Sequence, residues 1–192
     1  MTEPCWSRGG LALWDLGAGW VLVWKGGCLV VDPADGFARA WAGSDLEERP
    51  LAVFFTGDGP ERLGGLYGLL AAEARRSREV GLALVHGMNQ EGVPALAAAW
   101  RQNDPCSGEM DLVLETAFDG EVVPLAGARL SVHDVGALAC VVRLPDGVVV
   151  FAGAGGNSSR LVRLLGGAHA VVAEAPIPGL AADCVWIRRE LS

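Results

Sequence analysis

The apolar run Leu51-Ala52-Val53-Phe54-Phe55 stops abruptly at Thr56-Gly57-Asp58-Gly59-Pro60-Glu61-Arg62-Leu63-Gly64-Gly65-Leu66, and a helix-compatible stretch through Leu69, Leu70, Ala72 and Ala74 follows. A short, uninterrupted apolar run bounded by turn residues has the pattern of a strand buried on both faces. The loop after it, with four glycines and a proline, can continue neither as strand nor as one uniform helix. This strand–loop–helix unit restricts the chain to folds in which sheets and helices are stacked in layers.

The flanking sequence extends the pattern. Upstream, Leu11–Trp14, Trp20–Trp24 and Cys28–Val31 are short apolar runs joined by Gly17-Ala18-Gly19 and Lys25-Gly26-Gly27, the spacing of an antiparallel meander. Asp32-Pro33-Ala34-Asp35-Gly36 closes the third of them in a turn. From Leu51 onward strands and helices alternate: strand 51–55, helix 63–76, strand 81–86, and a helix over 93–102 with Pro94 near its first turn. Asn103-Asp104-Pro105-Cys106-Ser107-Gly108 breaks the chain. Five more strands are expected over 111–114, 121–123, 129–133, 138–144 and 148–152, the last two joined at Pro145-Asp146-Gly147. A short helix over 161–165, a buried strand over 168–173 and a final edge strand at Val185-Trp186-Ile187 complete the series. Strands followed by helices, twice over, fit two sheets packed face to face with helices outside, in one domain spanning residues 1–192.

Charge and composition narrow the function. The chain carries a net charge of −8, and its basic clusters are limited to Arg75-Arg76-Ser77-Arg78 and Arg188-Arg189. Nucleic-acid binding needs cations to neutralise phosphates, so that class is not expected. No apolar run reaches the ~20 residues of a membrane-spanning helix. Met1 to Gly10 lack the basic and apolar regions of a secretion signal, and the expected location is the cytoplasm. The five cysteines form no C-x-x-C pair; Cys28 and Cys140 fall inside apolar strands and are expected as buried thiols, whereas Cys5 and Cys106 lie in polar surroundings. Trp14, Trp20 and Trp24 are expected to pack as large apolar side chains, though a sequence does not separate core from interface tryptophans.

The segment from Thr56 to Leu66 resembles the metal-binding loop of the metallo-β-lactamase superfamily, nearest the ribonuclease Z and phosphodiesterase branch, written T-H-x-H-x-D-H followed by x-G-G-L. The frame is present and the ligands are not: Gly57 and Gly59 stand at the first two histidines and Arg62 at the third. Other landmarks agree. Cys28 to Asp32 looks like the superfamily's strand ending in aspartate, and His133 falls where its next histidine ligand is expected. Ala154 replaces the bridging aspartate of a "G-D-T" segment, and Ala173 replaces the histidine of an "H-E-a" segment that here reads Ala173-Glu174-Ala175. No later histidine follows. The resemblance implies an αββα sandwich of the metallo-β-lactamase type.

It also implies lost metal chemistry. Zinc sites need three or four N, S or O donors, and a two-metal site adds a bridging carboxylate. Glu61, Asp58 and His133 could make a weak oxygen-rich site for one divalent metal, but the fixed charge of Arg62 beside it opposes cation binding. No cofactor and no catalytic residue are therefore assigned. His86 and His169 sit at no ligand position, and His133 and Asp134, adjacent in a strand, point to opposite faces and form no dyad. No serine lies in a G-x-S-x-G elbow. The Gly-rich stretch from Phe151 to Ser159 contains G-x-G without a dinucleotide fingerprint or a P-loop lysine, and a tight turn capped by Asn157, Ser158 or Ser159 accounts for it. In the resembled fold that loop faces the emptied pocket, so Asp58, Glu61, Arg62, His133, Gly155 and Asn157 are the candidate ligand-binding residues, with Arg62 and free N–H groups holding a small carboxylate or phosphate. The expected function is a pseudoenzyme serving as a binding or structural subunit in a homo- or hetero-oligomer. The competing expectation is a hydrolase of a small phosphoester or ester with a degenerate or partner-completed metal site.

Overall fold

The structure, a computed structural model, describes residues 3–44, 46, 50–76, 81–103, 110–155 and 158–188. Two mixed sheets form its centre. In the first, sheet A, the strands run β1 (Trp6–Arg8), β2 (Leu11–Asp15), β3 (Trp20–Trp24), β4 (Gly27–Val31), β5 (Pro50–Phe54), β6 (Leu82–Gly87) and β7 (Leu112–Ala117), in that spatial order. The first four pair antiparallel and β4 to β7 pair parallel. In the second, sheet B, the strands are β8 (Val122–Leu125), β9 (Ala128–Asp134), β10 (Leu138–Leu144), β11 (Gly147–Ala152), β12 (Ala170–Ala173) and β13 (Val185–Arg188), again ordered as in the sequence. The pairing is antiparallel from β8 to β11 and parallel from β11 to β13.

Side-chain alternation then makes the layers, because successive residues of a strand point to opposite faces. Trp20, Leu22, Trp24, Leu29, Val31 and Phe54 of sheet A meet Leu130, Val132, Cys140, Val142, Phe151 and Val172 of sheet B in one buried core between the sheets. The intervening residues Val21, Val23, Cys28, Val30 and Val53 face outward into a second core with helices α1 (Phe37–Ala42), α3 (Leu66–Ala74) and α4 (Gly92–Asn103). Ala139, Val141, Val150 and Val171 do the same on sheet B, under α5 (Ser158–Leu164). β3 and β4 are buried at every position, which explains why they read as continuous apolar runs rather than as an alternation. The expected four-layer αββα sandwich is therefore the observed fold.

One local expectation differs from what forms, and two elements form that were not expected. The helix expected over 63–76 is two helices, α2 (Pro60–Leu63) and α3, divided at Gly64-Gly65. The division is steric in origin: a Cβ on Gly65 would lie 2.0 Å from the Ala34 carbonyl oxygen, and the Gly65 N–H donates to the Pro33 carbonyl at 2.8 Å. The loop after β4 and the loop after β5 are thus stitched backbone to backbone. β1 and α1 had no signal in the sequence reading; α1 is short and is fixed by burial of Phe37 and Trp41 rather than by propensity. The tryptophans of the N-terminal third offer little surface: Trp20, Trp24 and Trp41 are buried, with the Trp24 indole donating to the Ala126 carbonyl at 2.7 Å, and Trp14 is half-buried. Cys28 and Cys140 are buried as expected and Cys5 is exposed, while Cys106 lies outside the described residues.

Gly65 gives a test of the stitched loops. Gly65→Ala should lower the unfolding free energy by roughly 3 kcal/mol, as overpacking against rigid backbone does. Gly43→Ala, where φ is −90° and the nearest atom is 3.5 Å away, should be close to neutral in the same urea titration.

Candidate functional site

Four chain segments converge where the parallel strands end. β4 delivers Asp32, β5 delivers Thr56 one residue beyond Phe55, α2 delivers Arg62, and β12 delivers Glu174. Gly153, just past β11, closes the gap between the sheets: a Cβ there would lie 2.7 Å from the Thr56 carbonyl oxygen and 3.1 Å from that of Leu138. Close backbone approach at this position requires glycine.

Arg62 is at the centre. Its side chain is 6% exposed, and that of Asp32 is 0% exposed. Nη1 lies 3.3 Å from Asp32 Oδ2 and also donates to Thr56 Oγ1. Nη2 donates to Glu174 Oε1 at 2.5 Å, and Nε lies 3.5 Å from Glu61 Oε1. Asp32 is further held by the Thr56 N–H at 2.7 Å and the Thr56 hydroxyl at 2.5 Å. Its backbone has φ of 49°, the one positive value among the described non-glycine residues. Aspartate tolerates that region better than most residues, and here the strained turn aims its carboxylate at the centre of the group. Charge-assisted bonds to a planar guanidinium are the strong class of hydrogen bond, so this cluster is the best-anchored polar feature of the site.

The two glycines of the loop have a spatial role. A Cβ on Gly57 would lie 2.8 Å from both Cδ and Nε of Arg62, and one on Gly59 would lie 2.2 Å from the Glu61 carboxylate oxygens. Neither takes a left-handed φ. At Gly57 the space is taken by the stem of the buried Arg62, whereas at Gly59 it is taken by the mobile end of the half-exposed Glu61 side chain.

Beside this cluster a cleft of about 440 Å³ opens between the sheets, lined among others by Thr56, Arg62, Gln90, Val132, Ala137 and Ala154. Met88 and Phe118 stand at its wall and are 62% and 56% exposed. Gln90 is buried and braces the floor: its Oε1 accepts from the Gly87 N–H at 2.8 Å and its Nε2 donates to the Phe55 carbonyl at 3.2 Å. Asp119 and Asp134 add negative charge on the sheet B side.

The sequence-derived site residues do not all gather here. Arg62 does, and Glu61 lies against it with its carboxylate half exposed. Asp58 turns away: its carboxylate accepts from the Glu91 and Gly92 N–H groups at 3.0–3.1 Å and so caps the start of α4. His133 is on the outer face of sheet B, since its neighbour Val132 is the one that lines the cleft. Its Nε2 pairs with Ser131 Oγ at 3.0 Å, and Asp119 Oδ1 is 3.9 Å from Nδ1. Sheet alternation, which periodicity alone could not register against the cleft, decides this. From the β9–β10 turn Gly136 and Ala137 line the cleft. Gly155 borders a smaller hollow beyond Glu174, not the cleft of Arg62, and Asn157 lies outside the described residues. The residues that sequence reasoning left out of the site are Asp32, Thr56, Glu174 and Gln90; the first three stood among its landmarks, each directly after a strand.

The expected metal alternative does not fit. Asp58, Glu61 and His133 face three different surroundings, and among the described residues no group of three or more His, Cys, Asp or Glu side chains is arranged to hold a metal ion. The carboxylates that do converge, Asp32 and Glu174, are bridged by a guanidinium. An incoming anion would likewise have to compete with those carboxylates for Arg62.

Burial pushes the His133 imidazole below 6.5, against the opposing pull of the Asp119 carboxylate. Asp119 is itself held below the usual range, chiefly by the hydrogen bond from the Asp134 N–H and then by Arg160.

Solved structures similar to this chain share its architecture. The metallo-β-lactamase fold protein YhfI from Bacillus subtilis superposes with a TM-score of 0.64 at 10% identity, covering 88% of this chain and 68% of that one. A diphosphatase from the PhnP family gives 0.58 at 13% identity, covering 83% and 62%. Zn(2+)-bound PqqB from Methylobacterium extorquens gives 0.55 at 13% identity, covering 80% and 55%. The chain thus has the metallo-β-lactamase fold and spans between about half and two thirds of the length of these proteins. No protein-family model and no curated protein matches it.

Two outcomes are expected from this geometry. Arg62→Met removes the guanidinium beside the buried Asp32 carboxylate and should cost about 3–5 kcal/mol in denaturant unfolding. His133 should titrate by NMR below 6.5, and lower still in Asp119→Asn, which removes the carboxylate that raises it. A histidine with a depressed folded-state value supports the fold at pH above its unfolded value and withdraws that support as pH falls through the folded one. His133→Gln should therefore flatten the loss of stability just below pH 6.5.

Proposed function

We propose that this chain is a metal-independent member of its fold, acting as a binding or structural subunit and not as a hydrolase. The observation that carries the reading is the Arg62 guanidinium joining Asp32 to Glu174, because it places a permanent cation among the converging carboxylates. A divalent ion entering there would meet Coulomb repulsion from a neighbour that cannot deprotonate. The other support is the surface at the cleft. Met88 and Phe118 are exposed beside it. Large apolar side chains grouped on a surface suit a protein contact. Aromatic and methionine side chains are also the types enriched at such contacts. The partner is a second copy of the chain or a different protein bound over this rim.

Metal content is the first test. Protein purified without chelator should contain zinc, iron and manganese far below one equivalent, and Arg62→His should not lose stability on treatment with chelator. A full equivalent of any of these in the unmodified chain overturns the metal-independent reading. Native mass measurement of the chain isolated from its own cells tests the subunit reading. A defined assembly that dissociates in Phe118→Asp supports it, and a monomer unaffected by that change removes it.

A further inference from the structure

We propose that Asp32, Thr56 and Glu174 form a guanidinium-binding cage, with Arg62 as its built-in occupant and as the clamp between the two sheets. The acceptors are distributed as a planar, forked cation requires. Asp32 and Thr56 take the Nη1 edge, Glu174 takes the Nη2 edge, and Glu61 lies along Nε. Such a set suits a guanidinium, which presents donors along several edges of one plane, and not an ammonium, which is a point charge on a flexible stem. Three independent features are built around it. Asp32 is fully buried in a left-handed conformation, with both oxygens engaged by Thr56. Gly57 supplies the space for the arginine stem, since any Cβ there would overlap Cδ and Nε. Gly153 lets the backbone after β11 come close enough to Thr56 for Glu174, after β12, to reach across.

The clamp joins the two sheets. Asp32 and Thr56 follow strands of sheet A, and Glu174 follows a strand of sheet B, so the guanidinium is held from both sides. The Glu174 side chain is 21% exposed, and the cage is therefore open to solvent on that side. Removing the arginine side chain leaves a cage with its acceptors in place, the stem channel beside Gly57 vacant, and a route in past Glu174. Free guanidinium fits that space and restores the bridge. The inference rests on the metal-independent reading of the site, but it concerns the occupant of the cage and not the partner of the chain.

The test is chemical rescue of Arg62→Ala, followed by thermal unfolding. Guanidinium chloride at low millimolar concentration should raise the melting temperature of this variant by roughly 4 °C. The same addition should leave the unmodified protein unchanged or slightly less stable. The rescue should vanish in the double variant Arg62→Ala with Glu174→Gln. Equal responses of variant and unmodified protein overturn the proposal, as does equal rescue by sodium chloride at the same ionic strength. Rescue by zinc chloride without rescue by guanidinium also overturns it, because the cage would then be selecting a point cation. Where Arg62→Ala fails to fold, Arg62→Lys decides: it keeps the charge without the fork and should melt well below the unmodified protein, whereas an unchanged melting temperature overturns the cage. Metal content of the unmodified chain is measured separately, so failure of the metal-independent reading and failure of the cage give different results.

Discussion

The contact between the Arg62 guanidinium and the carboxylates of Asp32 and Glu174 governs the open edge of this sandwich. Elsewhere the two sheets are held by apolar packing, which is strong but not directional. At the edge where the parallel strands end the core runs out, and three backbone segments terminate with charged or hydroxyl side chains pointing inward. A fully buried carboxylate such as Asp32 is tolerated only with a partner and a complete set of hydrogen bonds. Thr56 and Arg62 supply both. The left-handed backbone at Asp32 and the bare position at Gly57 both serve the seating of that arginine side chain.

Much of the architecture was legible because the relevant signals are local. Continuous apolar runs at Trp20–Trp24 and Cys28–Val31 marked strands of an antiparallel meander, and Pro145-Asp146-Gly147 marked the turn between β10 and β11. What escaped was set by distant contacts. The break between α2 and α3 comes from the Ala34 carbonyl, some thirty residues upstream, and nothing within the stretch from Leu63 to Arg76 announces it beyond two glycines that also fit a helix start. α1 is too short to be specified by propensity and depends on the pockets for Phe37 and Trp41.

The candidate site was legible in position and less so in membership. Spacing singled out Arg62, but it could not say that the arginine would be engaged by the protein's own carboxylates. His133 shows the limit most clearly. One residue of register separates the outer face of a strand from the cleft face, and that residue is Val132. Asp58 shows another: a carboxylate in a loop can serve a neighbouring helix, and here α4 takes it. Asp32, Thr56 and Glu174 stood in plain view as the residues after strands, yet only their common partner makes them a group.

The geometry also separates two properties that a hydrolase of this fold combines. A cleft of about 440 Å³ is large enough to receive a small molecule or a side chain from another protein, and its shape is set by the strand ends and glycines around it. Its electrostatics are a different matter. With Arg62 committed to Asp32 and Glu174, the remaining wall charges include Asp119 and Asp134, while Met88 and Phe118 present apolar surface beside them. A cleft of that character has concavity, apolar area and a fixed polar floor at Gln90. Recognition of a small molecule or a side chain uses those same features, and Arg62 ties the sheet A and sheet B sides of the mouth together through Asp32 and Glu174.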